Sequence, residues 1–335
     1  MSGQTYKSRI VTRSKQRLRR LIHRARSIQV TVTDFWRFHK FAAPGGKDTK
    51  PENRRGLMLY HAHSIEKGLS RADFRPMFGE SAIHELAKML NTWIKKSGDT
   101  DDFCFKTACG ALNAYRVRHI ELGMPSEWFD QHFHEGVLRH VQKSENGNAS
   151  RTVVRDVEGD KGFESVVTTR VTQRIFTDHP VDRCSVERAV SLAMHAPSAC
   201  NRQSARLHIV ECPSKIAEVL AIQGGLRGYS PPPVLLLVTS ETSCYVEATE
   251  RNLPYVDGAL FAMTLLLSLE YQNLSTCALT AMMWPKAEKK IRSLLAIPQS
   301  ETFVMFIGAG NAPLRSVVPK SPRAPLSEIV KVHES

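Results

Sequence analysis

The chain has 335 residues, 42 % of them hydrophobic, and a formal net charge of +13. This hydrophobic content supplies a core and excludes a disordered chain, and the length allows one large domain or two. The longest apolar run, residues 258–269, is shorter than the roughly 20 residues of a membrane span, and we expect no signal peptide. The seven scattered cysteines lack a Cys-x-x-Cys spacing, which favours a reducing, cytoplasmic compartment. The histidines show no spacing typical of a metal site.

Residues 1–30 form a predicted basic arm. No acidic residue precedes Asp34, and nine basic residues lie in the arm: Lys7, Arg9, Arg13, Lys15, Arg17, Arg19, Arg20, Arg24 and Arg26. Apolar residues lie between them, so one interpretation is an amphipathic helix that binds an anionic membrane surface. The alternative is a solvated, frayed terminus. Tyr6 is the arm's one aromatic residue, which disfavours nucleic acid as a partner.

Residues 31–142 are predicted to be a helical N-terminal region. Four helices are predicted in this region. The first begins at Asp34, and the other three cover residues 52–68, 81–96 and 103–122. Residues 81–96 carry the clearest apolar stripe, with Ser81 as the expected N-cap. The polar, glycine-containing stretch 143–161 is predicted to be a linker.

The second of these helices carries His63 and Glu66, one turn apart. Two interpretations stay open for them: an acid–base or ligand pair, and a surface hydrogen bond near the end of the helix.

Helical and strand patterns alternate from residue 162 onward. Strands are predicted at 207–210, 233–238, 275–279 and 303–308, and helices at 186–193, 251–273 and 286–295. The apolar run 233–238 predicts a strand covered on both faces. These patterns predict an α+β fold in which helices flank a central sheet. The glycine-rich stretch 224–228 follows a helix and not a strand, so it does not match a dinucleotide fingerprint.

The sequence Ala-Pro-Ser-Ala-Cys-Asn-Arg-Gln at residues 196–203, called the octet below, connects a predicted helix to a predicted strand. Pro197 ends the helix because the residue before a proline is disfavoured in helical geometry. Small residues allow close approach of a ligand to the backbone, and Asn201 and Gln203 offer amide groups. An ordinary helix-to-strand connection is the alternative interpretation.

Two further segments carry cations that suit a phosphate. Arg170 and Arg174 flank Thr172 upstream of the octet, and Lys320 and Arg323 lie near the C-terminus before a Pro-Leu pair. Arginine and lysine side chains that converge on one point bind phosphate well.

Over residues 162–330, these segments in this order resemble the nitroreductase family of FMN-dependent oxidoreductases. That family has an Arg-x-Ser/Thr-x-Arg/Lys-x-Phe stretch, then Ala-Pro-Ser-x-x-Asn-x-Gln, then basic residues before Pro-Leu. The resemblance implies a nitroreductase-like FMN-binding domain at 162–335. It also implies that the chemistry belongs to the flavin, so no protein residue is assigned as catalytic.

The resemblance implies a set of cofactor-binding residues. Those toward the FMN phosphate, ribityl chain and pyrimidine edge are Arg170, Val171, Thr172, Arg174, Lys320 and Arg323. Those that line the ring from a partner subunit are Pro197, Ser198, Ala199, Asn201 and Gln203. Those beside flavin N5 are Leu279, Thr280 and Ala281. Val171 and the Ser204-Ala205 pair after the octet depart from the family pattern and leave the substrate open.

We therefore expect an FMN-dependent oxidoreductase that uses NADH or NADPH to reduce a nitro compound, a quinone or a pathway intermediate. The long apolar helix predicts a homodimer, with Met263 and Leu266 in the contact between subunits. The alternative is a degenerate flavin-fold scaffold at a membrane. Residues 61–79 are similar to a segment that precedes this domain in proteins linked to bacterial surface-polysaccharide assembly.

Overall fold

The computed structural model describes residues 3–42, 50–96, 98–144, 149–155 and 161–333. The helices are α1 (Gly3–Phe41), α2 (Pro51–Leu69), α3 (Glu80–Lys95), α4 (Phe103–Glu121), α5 (Glu127–Asp130), α6 (Glu135–Lys143), α7 (Phe163–Thr169), α8 (Arg183–Ala193), α9 (Pro213–Gln223), α10 (Leu253–Tyr271), α11 (Pro285–Leu295) and α12 (Leu326–Ile329). The strands are β1 (Ser150–Val154), β2 (Ala205–Val210), β3 (Val234–Glu241), β4 (Ser275–Thr280), β5 (Glu301–Gly310) and β6 (Arg315–Pro319).

The chain forms two compact units. The sheet unit comprises Met1–Phe38 and Asp156–Pro313, and the helical unit comprises His39–Arg155 and Leu314–Ser335. This division differs from the predicted domains because the C-terminal segment groups with the helical unit. The linker expectation for 143–161 fails at residues 150–154, which form β1 and pair antiparallel with β6. Residues 145–148 and 156–160 of that stretch lie outside the described residues.

The helical unit is built on α2, α3, α4 and α6, whose apolar side chains form one core. Tyr115, fully buried on α4, donates a hydrogen bond to the Phe78 carbonyl at 3.0 Å. His119 lies one turn later, and its Nε2 accepts from the Met77 amide at 3.0 Å. These bonds hold the loop before α3 against α4. The N-cap of α3 is Gly79 and not the predicted Ser81.

The sheet unit contains a four-stranded sheet in the order β2-β3-β5-β4, with every neighbouring pair antiparallel. Leu236 and Val238 of β3 join the core formed with α8 and α10, whereas Leu235 and Leu237 join the core formed with α9 and α11. Both faces of β3 are therefore covered. The predicted α+β class, with helices on both sides of a sheet, is confirmed.

Helix α10 crosses the first of these cores. A side chain at Gly258 would place its Cβ 2.5 Å from Val304 Cγ2, so the glycine lets the helix lie close to β5. The stretch Ala248–Tyr271 is also long and apolar enough, by length and composition alone, to cross a membrane, contrary to the sequence expectation. Phe261, Leu265 and Leu269 account for part of this apolarity because they are buried in the core.

The residues predicted as arm and first helix form the continuous helix α1. The described part of α1 from residue 20 to 38 is mostly exposed.

The two-sided sheet yields a stability prediction. Leu237→Ala removes a fully buried side chain from the middle of β3, which costs about 2–5 kcal/mol. Hydrogen-exchange mass spectrometry should show the free energy of opening of β3 and β5 amides falling by that amount. The control Leu192→Ala, at a partly exposed position on α8, should lower it by less than about 0.5 kcal/mol. Equal effects of the two substitutions would contradict the assignment of this core.

Candidate functional site

Residues 170–174 run extended beside β4. The Gln173 amide donates to the Thr276 carbonyl at 2.8 Å, and Thr172 forms a parallel bridge with Thr276. Burial alternates along this segment, with Val171 and Gln173 buried and the residues between them partly exposed. The partly exposed residues are Arg170, Thr172 and Arg174.

This alternation places two guanidinium groups and a hydroxyl on the accessible side of one short segment. That donor set suits a phosphate monoester, because guanidinium groups form strong charge-assisted hydrogen bonds to its oxygens. Val171 was predicted among the cofactor-binding residues, but its side chain is buried, with 8 % exposed. Only its main chain is available to a ligand.

Thr276, which forms the bridge with Thr172, has a buried hydroxyl group without a hydrogen-bond partner among the described residues. The residue is 1 % exposed, and the atom without a partner is its Oγ1. A buried hydroxyl without a partner is costly, so a bound polar group next to this bridge would be stabilised.

The octet is a strained loop. Cys200, Asn201 and Gln203 have positive φ values of 51°, 54° and 49°. Such values are uncommon outside glycine and persist when surrounding contacts impose them. Within the loop, Ser198 Oγ accepts from the Gln203 amide at 3.0 Å.

A buried carboxylate holds the start of the octet. Asp257, near the N-terminal end of α10, is 4 % exposed. Both of its oxygens lie 3.2 Å from the Ala199 amide nitrogen, which donates to them. Asp257 also accepts from the Tyr245 hydroxyl at 2.8 Å, and that hydroxyl lies 2.7 Å from Ser204 Oγ, just after the octet. Burial raises the pKa of Tyr245, so it stays protonated as a donor.

An ion pair holds the end of the octet. Arg202 donates through Nε to the Ala199 carbonyl and through Nη1 to the Cys244 carbonyl, both at 3.0 Å. Its two terminal nitrogens also bind the Glu250 carboxylate, at 3.1 and 2.5 Å. The hydrogen bond from Arg202, aided by two backbone amides, lowers the pKa of Glu250 to about 2. The guanidinium lies 5.0 Å from the centre of the Tyr245 ring, a cation–π contact.

A cavity of about 320 Å³ lies beside the octet, between α8, β2 and α10. Its wall is mostly apolar, including Val190, Leu207 and Phe261, while Asp257, Ser198, Gln203 and Arg206 add polar groups. A mostly apolar cavity with a few polar groups is typical of a small-molecule site.

The end of β4 is tied to the loop after α9. Gln223 Nε2 donates to the Thr280 carbonyl at 3.0 Å, and Gln223 Oε1 accepts from the Gly225 amide at 2.6 Å. Leu279 is partly buried, Thr280 is exposed and Ala281 is buried. At the predicted positions 279–281, the Thr280 carbonyl is therefore held by the side chain of the last residue of α9.

The structure divides the predicted site residues between the units. Residues 170–174, the octet and residues 279–281 belong to the sheet unit, whereas Lys320 and Arg323 belong to the helical unit. The Lys320 amide donates to the Ala149 carbonyl at 3.2 Å, and Arg323 Nη1 donates to the Ser321 carbonyl at 2.9 Å.

Sequence reasoning missed the groups that fix the octet: Asp257, Tyr245, Arg202 and Glu250. A signal existed for Asp257, because it is an acidic residue in a mostly apolar helix and must find a buried partner. No comparable signal marks Glu250, which comes from a short helical turn 48 residues after Arg202.

The His63–Glu66 pair forms within the helical unit. His63 Nδ1 lies 3.2 Å from Glu66 Oε2, and Glu66 is 2 % exposed. The interpretation as a surface hydrogen bond therefore fails for the carboxylate, which is buried. Among the described residues, no group of three or more His, Cys, Asp and Glu side chains is placed to hold a metal ion.

The octet geometry predicts a pH-dependent loop. Glu250 has an unfolded-state pKa of about 4.3 and a lower one when folded. Its stabilisation is therefore complete above the unfolded value and is lost as the pH falls toward about 2. Amide exchange of residues 198–203, corrected for intrinsic rates, should stay slow from neutral pH down to about 5 and accelerate below 4.

Arg202→Ala should accelerate the same amides by about tenfold or more already at neutral pH. The control Arg183→Ala, which breaks exposed pairs with Glu187 and Glu211, should leave them unchanged. Slow octet exchange in the Arg202 variant would show that the ion pair does not hold the loop.

Comparison with known families gives one match. Residues 167–225 match the model of the nitroreductase family. A comparison with curated proteins finds no match.

Several solved structures are similar to about half of this chain. A nitroreductase family protein from Streptococcus pneumoniae TIGR4 is 21 % identical over 51 % of this chain and 100 % of its own, with a TM-score of 0.46. One from Clostridium difficile 630 is 21 % identical over 52 % and 100 %, with a TM-score of 0.43. An FMN-dependent nitroreductase from Clostridium difficile R20291 is 17 % identical over 44 % and 86 %, with a TM-score of 0.40. The residues 167–225 that match the nitroreductase family model include Arg170, Arg174 and the whole octet.

Proposed function

We propose that this protein is an FMN-dependent oxidoreductase. One observation carries the proposal: the segment that matches the nitroreductase family presents Arg170, Thr172 and Arg174 on its accessible side. A bound phosphate monoester has nearly two negative charges, which two guanidinium groups offset. When bound, FMN supplies hydride transfer at N5, between NADH or NADPH and a small acceptor such as a nitro compound, a quinone or a pathway intermediate.

Each segment of the site has a distinct task in this proposal. Arg170, Thr172 and Arg174 hold the phosphate, the ribityl chain and the pyrimidine edge. The main chain of residues 279–281 donates toward N5, and its position is fixed through Gln223. Val171 contributes main chain only.

The octet lines the flavin ring of a second subunit in this proposal. Pro197, Asn201 and Gln203 are exposed, so they are available to a partner, while Ser198 and Ala199 are partly buried. The contacts of Asp257 and Arg202 fix the loop before any ligand binds, which lowers the entropy lost on binding.

The same proposal includes a homodimer formed through α10. One face of this helix is in the core, and the opposite face exposes apolar side chains at helical spacing. Val256, Leu260 and Met263 are 50, 41 and 46 % exposed. Leu266, which the sequence placed in the dimer contact, is instead buried in its own subunit at 5 % exposure.

A test of the phosphate site follows. Arg170→Ala together with Arg174→Ala removes two charge-assisted contacts of about 1.5–3 kcal/mol each. FMN affinity, measured by flavin-fluorescence titration, should fall at least about a hundredfold. Arg188→Ala on exposed α8 is the charge-matched control for one substitution and should leave the affinity unchanged. Unchanged affinity in the double variant would rule out this phosphate site.

A test of the dimer uses the exposed face of α10. Met263→Glu puts an unpaired charge into the proposed contact, so dimer and bound flavin should be lost together. Analytical ultracentrifugation and the flavin-to-protein ratio measure both. Ile120→Glu, at a similarly exposed apolar position on α4, should preserve both. A monomeric wild type with full FMN content would contradict a shared site.

A further inference from the structure

Helix α1 has an exposed apolar face on its described part. At about 100° per residue, its side chains fall within about one third of the circumference of the helix, which places them on one side. The members of this apolar stripe, which are 44–65 % exposed, are Leu18, Leu21, Ile22, Ile28, Val32 and Trp36. A stripe of this size on a helix surface is a feature of interaction sites.

Another side of α1 contacts the sheet unit. His23 Nε2 lies 3.0 Å from the Val246 carbonyl, and Asp34 pairs with Arg251. Asn252 Nδ2 also donates to Asp34, at 3.3 Å. His23 and Asp34 are about 140–160° around the helix from Leu18 at 100° per residue. These contacts hold the helix to the unit and leave the apolar stripe exposed to solvent.

Charge decides which partner fits the stripe. The first 33 residues carry nine Lys and Arg and no acidic residue. Two copies of α1 packed along their stripes would bring these like charges together without acidic residues to offset them. An anionic surface has the opposite sign and attracts each basic residue near it.

The composition of the stripe favours a lipid surface over nucleic acid. Aliphatic side chains with a tryptophan on one face, and basic residues on the others, are the features of helices that lie in a membrane interface. Arg24 and Arg26 lie beside the stripe, one on each side of it. Five of the six stripe residues are aliphatic, and the exposed aromatic side chains in the described part of α1, which are Phe35, Trp36, Phe38 and Phe41, lie only in its last turns. They form no series of rings along the helix for base stacking.

We propose that α1 binds the surface of an anionic lipid bilayer through its apolar stripe, so that the protein is a peripheral membrane protein. This proposal goes beyond the flavin chemistry and does not depend on it. It makes the basic helix α1 the membrane-binding element of the chain.

The experiment is cosedimentation of the full-length protein with vesicles of phosphatidylcholine and phosphatidylserine, and with vesicles of phosphatidylcholine alone, at about 0.1 M salt. The wild type should bind the anionic vesicles about tenfold or more tightly than the neutral ones. Compared with the wild type, the Ile28→Glu variant should bind the anionic vesicles about tenfold more weakly, because the substitution places a charge in the apolar face.

Thr31→Glu is the matched control. Thr31 is exposed on α1 outside the stripe, and the substitution changes the charge by the same amount. It should weaken binding no more than about threefold.

Three results would overturn the proposal: equal loss in the two variants, equal binding to neutral and anionic vesicles, and self-association without lipid that Ile28→Glu abolishes. Binding of single-stranded RNA that is lost in Ile28→Glu would assign the stripe to nucleic acid instead. Flavin content measured in the same samples reports separately on the proposed enzyme.

Discussion

The carboxylate of Asp257 is the constraint on which the candidate site depends. It is buried near the start of the core helix α10, where an unpaired charge would be costly. Its hydrogen bonds from the Ala199 amide and the Tyr245 hydroxyl satisfy it and fix the octet to the core. The strained backbone at Cys200, Asn201 and Gln203 is therefore imposed by the fold and does not need a ligand to form.

Helix α10 links two parts of the proposed enzyme. One of its faces fills the core beside β3 and β5, its first turns hold the octet through Asp257, and its remaining face is apolar and exposed. If the octet lines the flavin and that face forms the subunit contact, as proposed, one helix supports both the cofactor loop, through Asp257, and the contact between subunits. Association and cofactor binding are then thermodynamically coupled.

Much of the sheet unit could be predicted from local patterns. The apolar run of β3 indicated a strand covered on both sides. Helix α9 ends at Gln223 with Gly224 as its C-cap, so the glycine-rich stretch 224–228 follows a helix, as the sequence indicated. The pairing of β1 with β6 could not be predicted, because the partners are about 165 residues apart and β1 has no apolar alternation.

The sequence indicated the cationic side chains of the candidate site, but it did not indicate the contacts that hold their segment in place. Arg170 and Arg174 follow from the spacing of cations, but the burial of Val171 between them depends on the bridge to β4. The burial of Leu266 required the structure, since a helix with apolar residues nearly all round does not show from its sequence which side meets the core.

The central claim is that this chain binds FMN, and the most direct measurement is the flavin bound to the purified full-length protein. The protein is incubated with excess FMN, freed of unbound cofactor, and its visible flavin absorbance is compared with its concentration, with the released flavin identified after acid denaturation. The account predicts a yellow protein with one FMN for each chain. A colourless protein that takes up no FMN would contradict it and would favour a scaffold built on the same fold.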